Sequence, residues 1–287
     1  MIDLFNEFAC KGMESLMSLS NGEQKIFVWI DFSSETEVTI LHGVQSALIL
    51  DKEICLMCRQ VFIGESGEQV LARLNDLARP LAEIFGAARV HTFVATLSYD
   101  QLLTEMAEEF DALLLVAPKS KSRELLQILP RSGFPFLFVS VGQNPELGYQ
   151  NITVPVGYMK KSKDLALWSS YFARHNGAKV ALIRANETFA EDRHTVDRNL
   201  HSIERLFKNF KFPFEIIECK SSSWKIQRKA LEHALGQDSG LLIISFSHRS
   251  SLLDRFLGTT DSYVLEHSAA LSVMCINSQR DLYTFCG

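Results

Sequence analysis

The chain has 287 residues, 47% of them hydrophobic and 22% charged, enough apolar material for two globular domains at roughly 100–200 residues each. Its net charge of −5 argues against a general nucleic-acid binder, which presents a basic face, and against attraction to acidic membranes. Residues 1–7 lack the basic start and long apolar core of a signal peptide, and no apolar run approaches the ~20 residues of a membrane span. The expectation is a soluble, cytoplasmic protein with no nucleic-acid or membrane partner.

Residues 1–24 carry Leu4, Phe5, Phe8, Met13, Leu16 and Met17, spaced as one amphipathic helical arm. Strands are then expected at 26–30, 53–62, 89–95, 112–117 and 136–141, with helices at 35–50, 67–85, 99–110 and 122–129. In the helix at 67–85, Val70, Leu71, Leu74, Leu77, Leu81 and Ile84 form one apolar stripe, and Pro80 marks a kink. The polar stretch 142–148, with Pro145 and two glycines, reads as a linker. Beyond it the same order repeats. Strands are expected at 152–156, 179–184, 214–219, 241–245 and 271–276, and helices at 163–175, 192–209, 224–235 and 261–267. Trp224, Ala230, Leu231 and Leu235 read as the buried side of the 224–235 helix.

Short apolar strands alternating with helices predict parallel sheets covered on both faces, joined by right-handed crossovers. The repeat predicts two domains, 25–142 and 150–287, after an arm at 1–24.

Of the six cysteines, Cys55 and Cys58 form a C-x-x-C spacing. They lie in a predicted strand, where residues three apart point to opposite faces, so the pair reads as core. A redox motif needs both sulfurs at a helix start, and zinc needs a second ligand pair, which the sequence lacks. His91, His194, His201 and His233 fall on separate elements, so no metal set is expected.

The chemistry concentrates after the strand at 241–245. Ser245-Phe246-Ser247-His248-Arg249 opens a loop that closes on Gly258-Thr259 before a helix. A strand, a loop and a Gly-Thr step into a helix form an architecture that binds phosphate, because first-turn amides and the helix dipole favour an anion. Ser245, Ser247, His248, Arg249, Gly258 and Thr259 are therefore candidate anion or nucleotide contacts. No nucleophile–base set is recognisable: G-x-S-x-G, H-E-x-x-H and the Walker-type phosphate loop are all missing.

This loop resembles the nucleotide loop of the universal stress protein (UspA-like) family. The family pattern is Gly, two residues, Gly, nine residues, Gly, then Ser or Thr. Here the register holds, with Ser245 and His248 at the first two glycines and Gly258-Thr259 at the end. Ile152-Thr153-Val154-Pro155-Val156 is similar to the family's first strand, and Ser162 to the Ser that opens its first helix. Val28-Trp29-Ile30-Asp31 in the first half matches more loosely.

The resemblance implies an α/β fold of two tandem adenine-nucleotide alpha-hydrolase-like (Rossmann-like) domains, each a five-stranded parallel sheet with helices on both faces. It also implies that an Asp after the first strand contacts the adenosine end of ATP, while the glycine loop holds the phosphates. Asp31 keeps that Asp, but Pro118-Lys119-Ser120-Lys121-Ser122-Arg123 has no glycine; the second half keeps the loop but places Gly157 where the Asp belongs.

Asp31 reads either as a helix cap or as a ligand contact, and Lys119, Lys121 and Arg123 either as a solvated loop or as an anion site. The expected function is a non-catalytic stress-response regulator with degenerate nucleotide sites, acting on a protein partner. A nucleotide-binding module with slow or no hydrolysis is the alternative. ATP or a small anion is the ligand to consider. Family members commonly pair through their last strands, which adds a homodimer to the partners to consider.

Overall fold

The structure is a computed structural model that describes residues 24–60, 65–96, 98–141, 148–159, 162–237, 240–246 and 260–277. The predicted arm at 1–24 lies outside these residues except for Gln24. Chain contacts divide the molecule into two compact units, Met1–Val141 and Gly142–Gly287.

The first unit runs β1 (Lys25–Ile30), α1 (Thr36–Leu50), β2 (Glu53–Arg59), α2 (Gly67–Phe85), β3 (Val90–Ala95), α3 (Tyr99–Glu108), β4 (Ala112–Pro118), α4 (Ser122–Leu125) and β5 (Phe136–Val139). Every pairing among these strands is parallel, in the order β3-β2-β1-β4-β5. The second unit runs β6 (Asn151–Val156), α5 (Ser162–Asn176), β7 (Lys179–Arg184), α6 (Ala190–Phe210), β8 (Phe214–Glu218), α7 (Ile226–Ala234), β9 (Gly240–Ser245), α8 (Thr260–His267) and β10 (Ser272–Ile276). Its pairings are again parallel, in the equivalent order β8-β7-β6-β9-β10.

The central strands are mostly apolar because helices cover both faces. In β1, Ile26 to Ile30 are all buried, and β4 and β9 are buried throughout. Helix α1 lies close on β1 because Gly43 has no side chain; a Cβ there would stand 2.3 Å from Val28 Cγ2. Helix α2 starts on a capping box in which Ser66 and Gln69 exchange hydrogen bonds of 3.0 and 3.3 Å. It continues through Pro80 to Phe85 and buries Val70, Leu74, Ala78 and Leu81.

Three sequence expectations need correction. Leu71 is 39% exposed, because one face of α2 buries a narrower stripe than the apolar residues occupy. The helix expected at 122–129 stops at Leu125 and gives way to short turns before β5. Trp224 and Leu235 flank α7 rather than lining its buried side, at 61% and 47% exposed, while Ala230 and Leu231 are buried as expected. No described helix is long and apolar enough to cross a membrane.

Candidate functional site

In an open parallel sheet, ligands bind beyond the C-terminal strand ends, where the strand order reverses. Each unit has one such point, between β1 and β4 in the first and between β6 and β9 in the second.

In the first unit, β1 ends in a tight polar turn. Ser33 N donates to Asp31 Oδ1 at 3.0 Å, and Glu35 N to Ser33 Oγ at 3.2 Å. These are the Asx and Ser turns such residues favour. Between them Phe32 adopts φ +54°, a left-handed conformation that costs a bulky residue about 1–2 kcal/mol. Asp31 is thus not the cap of α1. The cap position is Glu35, which gives the helix no side-chain bond.

The chain after β4 then folds onto this turn. It makes one 3₁₀ turn, Lys119–Lys121, in which no residue takes the left-handed conformation of a glycine loop. Lys121 Nζ stands 3.7 Å from Asp31 Oδ2, and the Ser120 hydroxyl donates to the Glu35 carboxylate. Burial lowers the Lys119 ammonium to a pKa of about 8 against the pull of Glu35 in the other direction. Lys119 and Lys121 are therefore not a solvated loop. They are turned inward against two carboxylates, whereas Arg123 stays exposed.

Beside them Trp29 stacks on Tyr99 with ring centres 6.4 Å apart, and the Arg59 guanidinium lies 3.9 Å over the other aromatic partner, Tyr99. The Tyr99 hydroxyl donates to Glu124, which stands 3.9 Å from Arg59. Burial, then Glu124, pushes the Tyr99 phenol well above its ordinary pKa.

The second unit closes its strand end with neutral side chains backed by one buried carboxylate, Glu187. The Gly157 carbonyl, just past β6, accepts from Asn199 Nδ2 at 2.9 Å and from Ser162 Oγ at 3.3 Å. Tyr158 N donates to Ser223 Oγ at 3.0 Å, and Ser223 N donates to Glu187 Oε1 at 2.5 Å. Glu187, Asn199 and Ser223 are all buried. A Cβ at Gly157 would meet Ser223 Oγ at 2.8 Å and Ser223 Cβ at 2.9 Å. A carboxylate at position 157 does not fit unless the 221–223 turn moves.

Ser245, at the end of β9, is buried, and its carbonyl accepts from Gln227 Nε2 at 3.1 Å. Ser247, His248, Arg249, Gly258 and Thr259 lie outside the described residues, and α8 begins at Thr260. The structure brings Asp31 to Lys121 and Ser245 to Gln227. Sequence reading missed Arg59, Tyr99, Glu124, Asn199, Glu187 and Ser223. Their only signal is polarity in the loops and helices that follow the strands, which any surface segment shares.

The C-x-x-C pair is buried in β2. Burial pushes the Cys55 and Cys58 thiols up to about 12, so neither is a ready thiolate. Among the described residues, no three His, Cys, Asp or Glu side chains group as a metal set.

No protein-family model matches this sequence, and no curated protein matches it. Solved structures do. A universal stress protein from Archaeoglobus fulgidus DSM 4304 is 12% identical over 88% of this chain and 96% of its own, with a TM-score of 0.60. A protein from Pseudomonas aeruginosa UCBPP-PA14, assigned to the universal stress proteins, is 16% identical over 89% and 93%, with a TM-score of 0.62. The cytoplasmic domain of a prokaryotic cation chloride cotransporter is 12% identical over 92% and 99%, with a TM-score of 0.53. The chain shares the α/β fold of universal stress proteins.

Proposed function

We propose that this chain is a universal stress protein-like regulator, built as two such domains in tandem, that acts through a protein partner and performs no turnover. On this reading residues 25–142 and 150–287 are the two domains, residues 1–24 an appended arm, and the setting cytoplasmic. Fold likeness alone leaves function open, since one fold serves many roles. The observation that carries the proposal is the way both strand-end crevices are closed by the chain's own side chains. Lys121 and Ser120 cover Asp31 and Glu35 in the first unit, and Ser223 stands against Gly157 in the second.

Tight nucleotide binding needs a carboxylate and a glycine loop in one crevice, and here they are split. The test is to heat-extract the purified chain for bound nucleotide and to titrate it with ATP by calorimetry. We expect an empty extract and no sub-micromolar dissociation constant. A co-purifying nucleotide would instead establish the alternative, a nucleotide-binding module with slow or no hydrolysis.

A further inference from the structure

Two exposed aromatic side chains flank the buried Glu187–Ser223 contact of the second unit. Phe189 is 74% exposed and Trp224 61%, more than any other aromatic residue among those described. They stand on the loops that follow β7 and β8, and these loops are bonded to each other. Asn186 N donates to the Ser221 carbonyl at 2.8 Å, and Ser223 N to Glu187 Oε1 at 2.5 Å. Arg193 reaches back from α6 to the Glu187 and Thr188 carbonyls at 3.1 and 3.0 Å. The backbone that carries the two rings is therefore fixed, and covering them costs little further ordering.

Neither ring serves the fold. A helix N-cap favours Ser, Thr, Asp or Asn, yet Phe189 holds that position in α6 and supplies no cap bond. Trp224 precedes α7, whose buried residues are Ile226, Gln227, Ala230, Leu231 and Ala234. Large rings held in water on a fixed backbone are suited to anchor a protein–protein contact.

Charge narrows the partner. Between Cys219 and Leu231 stand Lys220, Lys225, Arg228 and Lys229 without an acid, in a chain of net charge −5. Lys229 is paired with Glu232 at 2.6 Å. Lys220, Lys225 and Arg228 are exposed. Arg228 lies 4.2 Å over the Tyr263 ring of α8, a contact that leaves its charge in place. Glu191 and Asp192 open α6 beside Phe189, so the anionic end of a partner falls on the Trp224 side.

We propose that Phe189, Trp224 and Tyr263 anchor a docking surface for an acidic, apolar segment of another protein, whose carboxylates meet Lys220, Lys225 and Arg228. A short segment needs only this patch. A nucleic acid or a membrane would set its extended negative charge against the rest of a net-negative chain. The proposal rests on the partner-binding reading above and gives that partner a site and a chemistry.

The test titrates the full chain with a synthetic amphipathic peptide of about 15 residues, with Leu and Phe one helical turn apart and Glu between them. Trp29 and Trp168 are 1% and 2% exposed, so a change in tryptophan emission reports Trp224. Binding should move the emission to shorter wavelength and protect it from acrylamide, with a dissociation constant below about 100 µM. By calorimetry, Trp224→Ala should weaken the peptide roughly tenfold and Phe189→Ser roughly fivefold. Lys225→Gln combined with Arg228→Gln should weaken it roughly fivefold at low salt. Trp224→Ala should leave the melting temperature unchanged, and Phe189→Ser should leave it level or raise it, since Ser can cap α6. No binding up to about 1 mM peptide overturns the proposal. So does binding that Trp224→Ala and Phe189→Ser leave unchanged, or equal affinity for the peptide with Gln in place of Glu. Tighter binding of oligothymidylate, or of vesicles containing phosphatidylserine, overturns it in favour of a nucleic acid or a membrane. The two readings fail separately: a peptide that does not bind removes this surface, whereas a nucleotide in the heat extract removes the reading of the crevices as closed.

Discussion

The two strand-end crevices occupy the same place in the same strand order and are closed by different chemistry. In the first unit the closing groups are charged: Lys119 and Lys121 face Asp31 and Glu35, and Arg59 faces Glu124. In the second the groups at the strand end itself are neutral: Asn199 and Ser162 bond the Gly157 carbonyl, and Ser223, held from behind by Glu187, leaves no room for a Cβ. A charged closure responds to pH and salt, whereas a steric one does not. The comparison teaches that one strand-end position can be satisfied in two chemically different ways. Each crevice has internal partners for the polar groups that strand ends leave exposed.

The largest effect should come from forcing the second crevice to resemble the first. Gly157→Asp drives a side chain into Ser223 and buries a carboxylate, and should destabilise the protein by about 3 kcal/mol in a urea melt. Adding Ser223→Gly should recover a good part of that loss, since the two sites are in contact. Wild-type stability in Gly157→Asp alone would mean that the contact is not restrictive.

The next test separates charge from shape in the first crevice. Lys119 has its pKa lowered from 10.5 to about 8, chiefly by burial. Between those values the unfolded chain holds more protons than the folded one, so this group's contribution makes stability rise with pH across that window. Below about pH 8 the cost of burying the charged amine is present in full. Lys119→Met should therefore be more stable than wild type by about 1 kcal/mol at pH 7, the long side chain swinging partly toward water. That advantage should shrink as the pH rises to 10.5. A gap between the two proteins that stays constant from pH 7 to 10.5 would rule out this account.

The smallest effect concerns Lys121. Its 3.7 Å approach to Asp31 is a partly exposed ion pair of the kind worth about 0.5 kcal/mol. Lys121→Gln should cost no more than that in low salt, and the difference should vanish near 1 M salt, where the Debye length falls to about 3 Å. A loss that persists in high salt would show that Lys121 acts through packing.

The alternation of elements was legible because hydrophobic periodicity is local. A buried parallel strand must be apolar residue after residue, as at Ile26 to Ile30 and Leu241 to Ile244, and a helix must repeat every three or four residues, as at Val70, Leu74 and Leu81. The missing glycines after β4 and the missing carboxylate at position 157 were also plain in the sequence. Helix ends were less legible, as Trp224 and the shortened α4 show, because the same apolar residues serve a helix or the turn beside it.

What fills the crevices only the tertiary structure could decide. Asp31 meets Lys121, Glu35 meets Ser120, and Gly157 meets Asn199 and Ser223, partners 42 to 90 residues apart in the chain. Nothing in local composition ties such residues together. Only the parallel strand order, which carries the chain back to the same sheet edge after each helix, brings them into contact.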